Sequence, residues 1–265
     1  MQKYWTIFSL SWQNEFTYRI NFILWRVRNI LGFLMVYFLW SGIFLTQTQI
    51  FGYSQNQILT YIFIALLVRA MVMSAPSADN IGSEIGSGDL SNYLLKPVGY
   101  LKFWFTRDLS SKLLNLSFVV LELTVLYLIF KPDIQPPNIL SFLAFLISAI
   151  LATITYFFLS TTARFIAFWA PEDTWGLAFI LFVLIESLGG GLFPLDILPD
   201  TFYTILQFTP FPYLLYFPIA IFAGKVQSFQ ILPVLLQSFV WVIGIYLLNI
   251  ILWKKGLRTY TSAGR

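Results

Sequence analysis

Three ionisable side chains stand inside long apolar runs of this chain, where charge is costly. Arg69, Glu122 and Glu186 are each flanked by residues that suit lipid. Charges at such positions usually pair with one another or contact a substrate, an ion or a proton. Arg69 and Glu122 fall at comparable depths in consecutive runs, which favours an ion pair and leaves a substrate contact or snorkelling as alternatives. Glu186 has no evident basic partner, so we expect it to be protonated or to face a cavity.

Other catalytic chemistry is poorly represented. The 265 residues include no Cys and no His, which excludes thiolate chemistry and removes the commonest general base and metal ligand. A P-loop sequence, G-x-x-x-x-G-K-[ST], is also missing. Gly86-Ser87-Gly88-Asp89 matches the G-x-G-D pattern, but an aspartyl protease needs two facing aspartates, and the apolar runs contain none. We therefore predict that the chain is not an enzyme and binds no cofactor or metal directly.

The composition places most of the chain in a lipid bilayer. Hydrophobic residues make up 58% of it and charged residues 11%, whereas soluble domains average about 25% charged. An apolar run of about 17–25 residues crosses the hydrocarbon core as a helix. We predict an all-α polytopic membrane protein, with residues 1–265 forming a single transmembrane domain. Its six predicted spans are 30–46, 58–75, 113–130, 139–160, 175–192 and 231–253.

The positions of the basic residues predict the orientation of these spans. Cytoplasmic loops of membrane proteins are enriched in Lys and Arg. On one side of the predicted spans lie only Lys131 and Lys225. The other side holds thirteen basic residues, namely Lys3, Arg19, Arg26, Arg28, Lys96, Lys102, Arg107, Lys112, Arg164, Lys254, Lys255, Arg258 and Arg265. We therefore expect both termini to be cytoplasmic.

Residues 1–28, which precede the first span, are predicted to form an amphipathic interfacial helix. Its apolar stripe recurs every three or four residues and consists of Trp5, Phe8, Trp12, Phe16 and Ile20. Aromatic-rich helices with basic residues lie in the headgroup plane of a membrane. The charges in this segment also argue against a cleavable signal peptide.

Residues 193–225 are apolar but interrupted by prolines. Proline breaks helices, so one continuous span is not expected here. Two short helices, at about 199–208 and 213–223, are predicted to dip into the outer leaflet and return. Such broken backbone is tolerated at membrane depth only against protein or a wet cavity. An apolar extracellular cap without a transport role is the alternative. The residues assigned to an external gate are Pro194, Pro199, Pro210, Pro212, Tyr213 and Pro218.

Residues 79–99 form the longest polar stretch of the chain and lie between the second and third predicted spans. Within this stretch, residues 85–97 read IGSGDLSNYLLKP, and a second distinctive run, 209–218, reads TPFPYLLYFP and is followed by Gly224-Lys225. In these two runs, and in the order of its elements, the chain resembles the permease subunits of bacterial ABC type-2 exporters, the six-helix ABC-2 family transporter proteins.

The resemblance implies that the polar stretch carries a coupling helix, which sits in a groove of a separate ATPase. This helix would comprise residues 91–95, with Asp89 as its cap, Gly86 and Gly88 in a tight turn before it, and Pro97 at its end. The implied coupling residues are Glu84, Gly86, Gly88, Asp89, Leu90, Ser91, Tyr93, Leu94, Leu95, Lys96 and Pro97.

The implied assembly contains two cytoplasmic ABC ATPases and a second permease, either identical or paralogous, in the lipid bilayer. ATP and Mg²⁺ would bind to the ATPases, and no nucleic acid would be involved. Closure of the ATPases would push the coupling helices and open the permease pair outward past residues 199–223. A stand-alone secondary transporter and a membrane scaffold are the alternative functions, although secondary transporters usually carry internal repeats that this chain lacks.

Overall fold

The computed structural model describes residues 2–17, 19–74, 77–134 and 136–261, and these are almost entirely helical. A two-residue antiparallel hairpin, β1 (Gln49–Ile50) and β2 (Tyr53–Ser54), separates the second and third helices. In chain order the helices are α1 (Gln2–Glu15), α2 (Arg19–Ile43), α3 (Gln55–Val72), α4 (Ser77–Ser87), α5 (Leu90–Leu94), α6 (Tyr100–Phe130), α7 (Ile139–Arg164), α8 (Thr174–Leu188), α9 (Asp200–Gln207), α10 (Tyr216–Phe222) and α11 (Ser228–Thr259).

Five of the described helices, α2, α3, α6, α7 and α11, are long and apolar enough to cross a membrane. They correspond to five of the six predicted spans and confirm the all-α polytopic class. Most of them continue beyond the predicted bounds, because their polar end turns remain helical. Thus α6 has 31 residues and begins at Tyr100 rather than at residue 113. The predicted end of the second span, Ala75, lies outside the described residues.

The predicted fifth span, 175–192, is shorter in the structure than expected. It corresponds to α8, which has 15 residues and is therefore only about 22 Å long at the helical rise. The helix stops because three glycines follow Leu188, and Gly190 has a φ of 78°, a conformation that favours glycine. The backbone N–H of Tyr216 donates to the Gly189 carbonyl at 2.8 Å, which fixes the turn against α10.

The N-terminal segment also differs from the prediction of one helix over residues 1–28. Helix α1 ends at Glu15 and α2 begins at Arg19, so the second half of the segment belongs to the first long helix. Helix α1 packs along α6, where the Ser110 hydroxyl donates to the Phe8 carbonyl at 3.0 Å. Trp5 remains 71% exposed, as an interfacial role would require.

Helix α3 is the central helix of the bundle. In its most apolar stretch 61% of the residues are buried, against 11% in α2, because α3 packs on α2, α6, α7 and α10. A capping box between Ser54 and Gln57 begins the helix, and this satisfies backbone donors that would otherwise be unpaired. The contacts α2 with α3, α3 with α7, and α7 with α8 place these four helices in one row.

Candidate functional site

The polar stretch between α3 and α6 folds into two short helices. Helix α4 was not anticipated from the sequence, and it forms because Ile81 and Ile85, four residues apart, are both buried. Gly88 then turns the chain with a φ of 89°, which favours glycine. Helix α5 follows at Leu90–Leu94, one residue before the predicted position of the coupling helix. Pro97 lies beyond the end of α5, as expected.

Helix α4 rests on the turn that follows α7, and α5 is tied to the end of α11. Ile81, Ile85 and Leu90 share a buried cluster with Phe165 and Phe168 of that turn. The Tyr260 hydroxyl, next to the end of α11, donates to the Gly88 carbonyl at 2.5 Å. The same hydroxyl accepts the backbone N–H of Ser91 at 3.2 Å. The entry to α5 is therefore held by two hydrogen bonds from the far end of the sequence.

Two residues of this segment act differently from the prediction. Gly86 lies within α4, where a β-carbon would stand 3.2 Å from the Pro171 side chain, so it permits close packing rather than a turn. Asp89 occupies the N-cap position but makes no side-chain cap hydrogen bond. Asp89 has helical backbone angles, and its carboxylate instead accepts from the Ser87 hydroxyl at 2.7 Å and from the Asn92 side-chain amide at 3.5 Å.

The end of α5 presents an apolar tip. Leu94 is 47% exposed and Leu95 is 87% exposed, whereas Leu90 at the start of the helix is fully buried. The ammonium of Lys96 lies 4.6 Å from the centre of the Tyr93 ring. Burial, and then the nearby Glu84 carboxylate, raises the pKa of Tyr93 to about 12.

Two further contacts hold the segment beside its tip. The Glu84 carboxylate accepts from the Tyr100 hydroxyl at 2.7 Å and from the Trp104 indole N–H at 3.1 Å. The Lys3 ammonium of α1 donates to the Pro97 carbonyl at 3.0 Å. Contacts from α1, α6, α7 and α11 thus converge on this short segment, and its two leucines, Leu94 and Leu95, remain exposed.

The predicted Arg69–Glu122 ion pair is wrong. Glu122 of α6 pairs with Arg26 of α2, and both contacts, Nε to Oε1 and Nη2 to Oε2, measure 2.6 Å. The remaining terminal nitrogen of Arg26 donates to the Asn115 side-chain oxygen at 3.0 Å. Depth alone does not determine which helix faces lie together, and Arg26 precedes the predicted first span, 30–46.

Arg69 pairs instead with Glu186 of α8, the residue for which no basic partner was evident. Gly191 makes this arrangement possible, because a β-carbon there would stand 2.5 Å from the Arg69 Nη2 atom. The glycine after α8 therefore leaves the space that the guanidinium occupies. The Arg69 side chain is 30% exposed and the Glu186 side chain 17%.

This second pair lines a cavity that we call the groove. It lies along the row of four helices, with α2 and α8 at its sides and α3 and α7 between them. Its volume is about 730 Å³, within the range of about 300–1,000 Å³ that is typical of ligand pockets. Arg28 and Arg164 also line it.

The proline-rich segment after α8 forms two short helices close to the predicted positions. Helix α9 exposes Phe202 and Ile205, and Phe208 just after it is also exposed, whereas the residues of α10 from Tyr216 to Ile221 are all buried. Helix α10 packs on α3 and α7, as broken backbone at membrane depth requires. The packing of α10 on other helices is compatible with the predicted gate. The role of this segment as a gate stays a prediction.

The prolines of this segment mark where its turns begin. Pro194, Pro199 and Pro210 each precede a helical turn, Pro212 is the second residue of such a turn, and Pro218 lies in the first turn of α10. Proline is tolerated at these positions because its missing N–H would have no helical partner. The Tyr213 hydroxyl, buried between α9 and α10, donates to the Gln207 carbonyl at 3.0 Å.

A polar contact ties this segment to the hairpin. The Tyr53 hydroxyl donates to the Asp196 carboxylate, at 2.8 and 2.7 Å from its two oxygens. Burial, and then this hydrogen bond, raises the pKa of Tyr53 well above its ordinary value. The Lys225 ammonium lies 4.0 Å from the centre of the same ring.

Sequence reasoning missed Arg26, Asn115, Tyr260 and the Asp108–Lys112 pair. The Asp108–Lys112 pair could have been predicted, because the two residues are four positions apart on one helix and have opposite charges. They form a buried contact of 2.7 Å. The other three act across helices that are distant in sequence, so no local spacing reveals them. No cluster of metal-ligating side chains occurs among the described residues.

Five long apolar helices among the described residues, with ion pairs between them, define a multi-pass helical membrane protein. The family model described as ABC-2 family transporter protein matches residues 30–264. The chain therefore belongs to the ABC-2 transporter family and is a membrane permease component of ABC transporters. A comparison with curated proteins finds no match.

Proposed function

We propose that the chain is the transmembrane subunit of an exporter in the bacterial inner membrane, with both termini in the cytoplasm. Two such permeases, identical or paralogous, work with two separate ATPases, which bind ATP and Mg²⁺. Helix α5 is the coupling helix, and the segment from α9 to α10 borders the outward exit. The excess of basic residues on the side of α5 supports this orientation, and the family supports a partner ATPase.

The observation that carries the proposal is the exposed leucine pair on a firmly held support. Leu94 and Leu95 lie at the tip of a polar segment that would face the cytoplasm, and Leu95 is 87% exposed. Buried contacts fix α4 and the start of α5, so a force applied at the tip passes to α7, α11 and α6. An ATPase surface that covers the tip removes apolar area from water, which favours association.

Isolation of the tagged chain from its native membrane in mild detergent tests the proposal. A P-loop ATPase is expected to copurify in near one-to-one ratio, and a second permease chain would identify a heteromeric pair. The double variant Leu94→Asp/Leu95→Asp is expected to insert normally but to lose the ATPase, because two carboxylates would have to be buried at the contact.

Leu45→Asp provides the matched control. Leu45 is 86% exposed and follows the C-terminal end of α2, so it tests whether an exposed Leu→Asp change away from α5 also releases the ATPase, with one added carboxylate rather than two. This variant is expected to retain the ATPase. Normal recovery of the ATPase with the double variant would contradict the assignment of α5. Recovery of the chain without any ATPase, while a known transporter keeps its own, would favour a stand-alone transporter or scaffold.

A further inference from the structure

Two arginines on opposite sides of the groove can meet a bound molecule. Arg28 of α2 and Arg69 of α3 both line it, together with one carboxylate, that of Glu186. Buried charge in a membrane protein usually has an opposite partner, and Glu186 is already paired with Arg69. The lining therefore favours negative charge in whatever occupies the groove.

Arg69 retains hydrogen-bonding capacity that the protein does not use. A guanidinium has five N–H donors, and the only side-chain hydrogen bond of Arg69 within the described part of the chain joins Nη2 to Glu186. The side chain is 30% exposed toward the groove. It can therefore donate to a carboxylate or phosphate without breaking its pair with Glu186.

Arg28 provides a second cationic group on the α2 side. Its guanidinium lies 3.9 Å from the centre of the Trp25 ring, and the residue is exposed. The cation–π contact orients the charge and leaves its edge available for hydrogen bonds. Both Trp25 and Arg28 line the groove.

The remaining wall of the groove is largely apolar and aromatic. On α8, Trp175 and Phe179 stack with ring centres 5.1 Å apart, and Phe182 follows along the same lining face. Phe33 lines the α2 side. Such a surface suits an apolar body rather than a sugar or a second ion, because it offers few hydrogen-bonding groups.

We propose that the groove binds amphiphiles with an anionic head and an apolar body. The head, a carboxylate or a phosphate, contacts Arg69 and Arg28, and the apolar body lies along the aromatic side chains of α8 and α2. That this amphiphile is the transported cargo rests on the proposed export function. Guanidinium groups recognise carboxylates and phosphates alike through paired hydrogen bonds. The test therefore uses separate carboxylate and phosphate probes.

Photocrosslinking of the full chain in neutral maltoside micelles tests the groove. The probes share one long alkyl chain with a mid-chain diazirine and differ only in the head, which is a carboxylate, a phosphate monoester or a quaternary ammonium. Mass spectrometry maps the labelled peptides. The anionic probes are expected to label the α8 peptide containing Phe179 and Phe182 roughly tenfold more than the ammonium probe, as a charge-assisted hydrogen bond would give.

Charge variants separate a specific site from general detergent-like labelling. Arg69→Gln/Glu186→Gln removes both charges of the pair without leaving one of them unpaired, and Arg28→Gln removes the second cation. Each is expected to reduce the selectivity for anionic heads several-fold. Arg107→Gln is the matched control, because Arg107 also lies over a tryptophan, 4.7 Å from the centre of the Trp104 ring, but outside the groove. It is expected to leave selectivity unchanged.

Equal labelling by anionic and cationic probes would overturn the proposal, as would selectivity that survives both groove variants. Preference for only one of the two anionic heads would support it and identify the head. Because labelling uses the permease chain, it is independent of ATPase recovery. Selective labelling without a copurifying ATPase would uphold the anionic site and contradict the exporter assembly. A copurifying ATPase without selective labelling would contradict the anionic site alone.

Discussion

The two intramembrane Arg–Glu pairs of this protein have the same chemistry but opposite settings. Arg26 and Glu122 have side chains 7% and 13% exposed, and two parallel contacts join them. Arg69 and Glu186 are 30% and 17% exposed, line the groove, and are joined through one nitrogen. The first pair is sealed between α2 and α6, whereas the second remains accessible from a cavity.

This difference indicates two different uses of buried charge. A sealed pair contributes to the arrangement of helices, since either partner left alone would be a charge without solvent. An accessible pair can exchange partners, since its open side admits water or a charged ligand. Substitutions that are chemically equivalent should therefore have unequal effects at the two sites.

The largest effect is expected from Glu122→Gln. This change leaves the Arg26 guanidinium charged and buried without a counterion, which costs about 3–5 kcal/mol. The free energy of unfolding, measured in mixed micelles of maltoside and dodecyl sulfate, should fall by that amount. Combining Arg26→Met with Glu122→Gln should recover much of the loss, because no buried charge remains. A single variant as stable as the native chain would show that the pair is not sealed.

Asn115→Leu should have the next largest effect. It removes the acceptor of one Arg26 nitrogen and leaves a buried charged donor unsatisfied, which costs roughly 2–3 kcal/mol. The same unfolding measurement checks this. Ser117→Ala on the exposed side of α6 is the control, since it removes a hydrogen bond to the Leu113 carbonyl of the same helix and should change stability little. Equal losses in the two variants would argue against a special role for Asn115.

The sequence predicted the positions of the helices better than it predicted which helices pack against one another. Hydrophobicity revealed five long spans, and the prolines between Pro194 and Pro218 correctly indicated two short helices. The pairing of Arg69 failed because hydropathy gives the depth of a residue but not the direction in which it faces. Gly191 decides that direction through the space it leaves, and its effect on a residue 122 positions earlier has no local pattern.

Gly191→Ala should have an intermediate effect on the accessible pair. The added methyl group would occupy the space of the Arg69 guanidinium and move it away from Glu186, at a cost of roughly 1–2 kcal/mol. Gly244→Ala in α11 is the control, because nothing lies within 4 Å of a β-carbon there. That variant should be neutral or slightly stabilising in the unfolding measurement, since alanine favours helix. A Gly191→Ala protein as stable as Gly244→Ala would contradict the close approach.

In the polar segment, too, some features depend on nearby residues and others on residues that are far away in the sequence. Its short helix was expected from the resemblance to the permease family, and the turn at Gly88 agrees with that expectation because glycine acts over a few positions. Helix α4 was missed, although Ile81 and Ile85 have helical spacing, because two apolar residues in a polar stretch are a weak pattern. The hydrogen bonds from Tyr260 depend on where α11 ends, which only the packed bundle determines.

The smallest effect is expected from Glu186→Gln, the counterpart of the sealed-pair variant. The chemical change is identical, but the remaining Arg69 side chain is 30% exposed and can be solvated from the groove, so the loss should be only about 1 kcal/mol. Its stability should also depend on added anions, because a carboxylate or phosphate can replace the lost partner from the groove. Raising the phosphate concentration at constant ionic strength should therefore stabilise Glu186→Gln more than Glu122→Gln, whose guanidinium is sealed. Equal losses and equal phosphate responses would show that both pairs are equally buried, and the groove would then provide no access to Arg69.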